Sequence, residues 1–100
     1  MRYAIFSDVY GNRQAWEALS ADLDREGIDM PICLGDVGGY GPGTPEILRG
    51  LRARTGNIVL GFFDAAVAGI MDSSGFDEAA RQAIEWTRSQ LDREALAYLA

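Results

Sequence analysis

Histidine is missing from this 100-residue chain, and so is lysine: all nine basic residues are arginine. Without imidazole there is no imidazole acid–base catalysis, no imidazole metal ligand and no Ser-His or Cys-His arrangement. Without lysine there is no Schiff base and no phosphate-loop ammonium. The single Cys33 excludes an internal disulfide and, inside the apolar run PICL, reads as a small buried hydrophobe. Ser7 precedes Asp8 with no base partner and is no nucleophile. No run approaches the roughly 20 apolar residues that span a bilayer. The opening MRYAIFSD reaches a charge after four apolar residues, too short for the apolar stretch of a signal peptide. These readings give a cytoplasmic chain with no membrane partner. A net charge of −6 argues against a nucleic-acid partner, which needs a positive footprint. The local cluster Arg49, Arg52 and Arg54 reads as helix C-terminal charge favoured by the dipole.

What remains is one domain, residues 1–100, with 48% hydrophobic content. Three apolar runs, YAIF (3–6), ICL (32–34) and NIVL (57–60), lack alternation, as parallel strands covered on both faces do. Helical patterns lie between them. From Asn12 to Glu26, Trp16, Leu19 and Leu23 recur at helical spacing, Asn12 is an N-cap and Gly27 ends the run. In the next, Thr44 caps, Pro45 takes the first position, and Ile47, Leu48 and Leu51 form the stripe. Residues 64–71 read as a short helical turn and DSSG (72–75) as a breaker. A long helix follows from about Phe76 to Gln90, with Asp77 and Glu78 in its first turn, and Asp92 caps a last one. The fold class is α/β: a three-stranded parallel β-α-β-α-β sheet with helices on one face, plus C-terminal helices. Such a sheet leaves its other face bare and apolar, which marks an interface. Trp16 and Trp86 read as helix–core aromatics, and Gly35, Gly38, Gly39, Gly41 and Gly43 as turn residues with positive φ.

Each strand is followed by an aspartate: SDVYGN, then LGDVGGYGP, then LGFFD. In a parallel sheet the three strand ends share an edge, so Asp8, Asp36 and Asp64 converge there. Convergent carboxylates repel unless a cation or donors neutralise them, which is how a metal site reads. The bland alternative is that each caps the helix or turn after it.

These motifs carry a resemblance. DVYGN at 8–12, GDVGGYGP at 35–42 and GFFD at 61–64 resemble, in order, the D-x-H, G-D and G-N-H-D motifs of the calcineurin-like metallophosphoesterases, N-terminal half only. The resemblance implies half of a four-layer α/β/β/α sandwich, whose second half supplies further histidines and a second sheet. It implies that Asp8 and Asp36 match metal ligands, Asp36 bridging two cations. Tyr10 stands at a ligand histidine, Phe62 at a ligand asparagine, and Phe63 at the histidine that protonates the leaving group. Asp64 matches the residue that orients that histidine, and here has nothing to orient.

Two-metal hydrolysis holds its cations about 3.5–4 Å apart, and carboxylates alone suit only weakly held Mg²⁺, Mn²⁺ or Ca²⁺. The expectation is therefore no catalytic residue, no cofactor and a weak or lost metal site. Tyr10, Tyr40, Phe62 and Phe63 become packing or interface residues, since aromatics bury about 150–250 Å² each. An engineered truncation and a natural degenerate relative would give the same letters. The leading reading is a homodimer formed through the apolar sheet face. The alternatives are residual metal-dependent phosphoester hydrolysis and small-ligand binding at the aromatic-lined former active site.

Overall fold

The computed structural model describes residues 1–99. Its order is β1 (Tyr3–Phe6), α1 (Arg13–Arg25), β2 (Met30–Cys33), α2 (Thr44–Arg54), α3 (Phe62–Val67), a 3-10 turn (Ser73–Gly75), α4 (Glu78–Gln90) and α5 (Arg93–Leu99). β1 and β2 pair in parallel, Tyr3 opposite Met30 and Phe6 opposite Cys33. Local chemistry sets the helix starts. Asn12, Asp77 and Asp92 each accept a backbone N–H from three residues ahead, at 3.0, 2.8 and 2.8 Å. These bonds satisfy one of the orphan donors of α1, α4 and α5. At α2, Gly43 holds the cap position; Thr44 is the first helical residue, and its buried hydroxyl has no protein partner. Thr44 is therefore not the cap that its sequence position suggests.

The three-stranded sheet is not what forms. Among the described residues the sheet has two strands, and the 57–60 run touches β2 through one isolated parallel bridge, Cys33 to Ile58. Cys33 N–H donates to Asn57 O, and Val59 N–H donates to Cys33 O, both at 2.9 Å. The ladder goes no further because the chain turns at Gly61 into α3 after this single step. Gly35 and Gly61 cross there so closely that a Cβ on Gly35 would lie 2.5 Å from Gly61 Cα. The 57–60 run is thus a strand in direction and a loop in extent.

Alternation along β1 and β2 sends side chains to two faces. On one, Phe6, Cys33 and Ile58 pack with Trp16, Val37, Ile47, Leu48 and Leu51 against the helices. On the other, Tyr3, Ile5, Leu34 and Val59 are exposed, Ile5 to 65%. Helices cover one face only, as expected from the sequence. Trp16 belongs to the core, whereas Trp86 on α4 is 47% exposed and is not the core aromatic expected of it. Among the described residues no helix is long and apolar enough to cross a membrane.

Candidate functional site

The site lies where the first two strands end. Past Phe6 the ladder continues into the loops: Leu34 N–H donates to Phe6 O, Asp8 N–H to Gly35 O, Tyr10 N–H to Asp36 O and Gly11 N–H to Val37 O, at 2.7–3.1 Å. This zipper forces an unusual backbone. Asp8 (φ 62°), Tyr10 (φ 50°) and Asp36 (φ 56°) are the non-glycine residues with positive φ among the described residues. Aspartate tolerates that region, but a bulky tyrosine is costly there, of order 1–3 kcal/mol. Strain of this kind persists only where surrounding bonds over-determine it. Of the five loop glycines expected to need positive φ, Gly35 and Gly39 have it. Gly41 and Gly43 serve close approach instead: a Cβ on either would lie 2.5–2.9 Å from Gly11 O.

The three aspartates do not share one centre. Asp8 and Asp36 adjoin, and the Asp8 carboxyl is pushed above its usual range by partial desolvation, then by its contact with Asp36 and by that group's charge. Asp36 is already occupied: Oδ1 accepts Phe63 N–H at 2.8 Å, and Oδ2 faces the Tyr10 hydroxyl at 3.4 Å. Asp64 turns inward, 1% exposed, and accepts Val37 N–H at 3.0 Å and Gly38 N–H at 2.9 Å. Burial raises its pKa, against these two bonds, which lower it. Asp64 has no histidine to orient, and its carboxylate instead holds the loop that carries Asp36. Two backbone amides have no sequence signature, so this role could not be read from residue letters.

The aromatic replacements differ in fate. Phe63 is 4% exposed, its ring lying against Gly39, where a Cβ would sit 2.7 Å from Cδ1. Tyr10, Tyr40 and Phe63 form a triangle with centroids 5.0–5.5 Å apart. Phe76, not singled out from the sequence, closes the cluster against Phe62 at 5.1 Å and Phe63 at 5.6 Å. Phe62 is 62% exposed and does not fill the site, because the helix start at Gly61 turns it outward. It joins Leu60, Ala65, Ile70 and Met71 in a shallow apolar groove.

A family-type metal pair does not fit this donor set. No group of three or more Asp, Glu, Cys or His able to hold a metal occurs among the described residues. Both Asp36 oxygens face protein donors, and Asp64 is committed to backbone. The remaining pair, Asp8 and Asp36, offers oxygen donors without the nitrogen ligands that zinc-like metals prefer.

Comparison with known proteins agrees with the motif resemblance. No family model matches the chain. It is similar to a metallophosphoesterase from Sphaerobacter thermophilus, with 40% identity and a TM-score of 0.78 over 99% of this chain and 40% of that one. It is also similar to an uncharacterized protein of Methanocaldococcus jannaschii, MJ0912, with 32% identity over 96% of this chain and 40% of that protein. The chain therefore spans about 40% of the length of each relative. Its mixed α/β fold matches a fragment of a metallophosphoesterase, which supports that family.

Proposed function

We propose that this chain is a metallophosphoesterase-derived half-domain that does not hydrolyse phosphoesters by itself and pairs with a second copy through its bare sheet face. The observation that carries the first part is the occupied Asp36 carboxylate, bonded by Phe63 N–H and faced by the Tyr10 hydroxyl. Each Asp36 oxygen thus turns one lone pair toward a protein donor, which leaves fewer of its roughly four acceptor sites for a cation pair. Loss of a general acid alone costs about 10²–10⁴-fold in rate. The second part rests on Tyr3, Ile5, Leu34 and Val59, an exposed apolar set on a sheet whose other face is sealed.

An activated aryl phosphodiester with Mn²⁺ tests the first part. Turnover should equal the protein-free background. Turnover that disappears in Asp36→Asn would overturn it and favour residual hydrolysis by Asp8 and Asp36. Binding of a small ligand beside Tyr10 and Tyr40 is a second reading, favoured by the open cleft of about 570 Å³ that these rings line.

A further inference from the structure

The cleft beside the aspartate pair has a chemistry of its own. Its walls include Asp8, Tyr10, Asn12, Gln14, Tyr40 and Pro42, and no arginine lines it. Tyr10 and Tyr40 meet at 72° with centroids 5.5 Å apart, so their rings form a corner. Tyr40 is 61% exposed and presents a ring to solvent. Asp8 lies in the wall, and Asp36, which does not line the cleft, is in contact with Asp8.

Each ligand class meets these walls differently. A phosphate ester or other anion is repelled by two carboxylates, and Arg13, which lines the adjoining cleft with Gln14 and Pro42, is paired with Glu17 at 3.5 Å. A small divalent cation needs a closed shell of oxygens, which the donor set lacks. A neutral apolar ligand would strip water from Asp8 without compensation. A large, weakly hydrated organic cation escapes all three objections. It needs ring faces within about 6 Å and diffuse negative charge, and it tolerates an open cleft.

We propose that the corner formed by Tyr10 and Tyr40, in the cleft that Asp8 also lines, binds a small alkylammonium cation. This rests on reading the site as unable to close round a metal pair. It names the ligand class for the aromatic-lined cleft. The rings supply cation–π attraction, and Asp8, backed by Asp36, supplies the countercharge. The Tyr10 hydroxyl, directed at Asp36 Oδ2, fixes the orientation of its ring.

Choline is a suitable probe, with its neutral carbon isostere 3,3-dimethyl-1-butanol and sodium chloride as controls. In ¹⁵N-labelled protein, choline should shift the amide peaks of Tyr10, Tyr40 and Gly41 saturably at millimolar concentration, and neither control should. Tyr40→Ala should weaken binding about two- to fivefold, the range of an exposed cation–π contact. Asp8→Asn should weaken it by about fivefold, and added salt should weaken it further. Both side chains are exposed, so neither change threatens the fold. Equal shifts from choline and the isostere, or choline shifts confined to the bare sheet face, would overturn the proposal. So would a choline response no different from that of sodium chloride. Saturable Mn²⁺ binding at the same amides would instead overturn the reading of the site on which it rests.

Discussion

One sheet here has two faces of nearly the same composition and opposite circumstances. Cys33 and Ile58 look onto Val37, Ile47 and Leu51, which are at most 1% exposed, while Ile5 and Val59 on the far face are 65% and 55% exposed. The covered face accounts for why the chain folds. The bare face leaves apolar surface exposed in the isolated chain, and it is the face through which the proposed pairing would run. The same division runs through the adjacent pair Phe62 and Phe63. One helical step sends Phe63 into the core and Phe62 into the apolar groove beside Leu60 and Ile70.

The largest effect that sharpens this contrast comes from Phe63. Phe63→Ala should cost about 3–5 kcal/mol in chemical denaturation, as buried aromatic truncations do. Phe62→Ala should stay within about 0.5 kcal/mol in the monomer, as surface changes usually do. Equal losses would erase the distinction between the two residues.

A smaller effect concerns Asp64. Asp64→Asn replaces an acceptor of two buried N–H groups by one with a single carbonyl, and should cost about 1–3 kcal/mol. Its pH dependence has a definite sign. The folded Asp64 pKa lies above its ordinary 3.8, so the native state holds the proton more tightly. The stabilisation from that proton is full below the ordinary value and is lost as pH rises through the raised one. The stability gap between parent and Asp64→Asn should therefore be larger near pH 4 than at pH 7. A gap that grows with pH would mean that Asp64 is ionised and stabilised as a carboxylate.

Much of the fold was legible in the sequence because its signals are local. Asn12 and Asp92 act as caps, as their positions suggest, and Gly27 follows α1. The bare sheet face followed from apolar runs that helices can cover on one side only. What was illegible depends on three-dimensional partners. The NIVL run has strand composition, but how far its ladder extends is decided by the Gly35–Gly61 crossing. Trp86 has a core residue's character, yet the rotation of α4 leaves it outside. At the site, the adjacency of Asp8 and Asp36 was readable from the strand-end pattern. Asp64's bonds to Val37 and Gly38, and the outward turn of Phe62, were not, because the direction of a helix start sets both.

The claim that the bare face is an interface meets its most direct test in sedimentation velocity of the parent and Ile5→Glu at micromolar concentration. Ile5 is exposed in the monomer, so a carboxylate there should leave the fold intact by circular dichroism while burying a charge in any pair. The account predicts a dimer for the parent that shifts to monomer on dilution, and a folded monomer for Ile5→Glu at every concentration. A parent that sediments as a folded monomer throughout, or a variant that dimerises as the parent does, would contradict it.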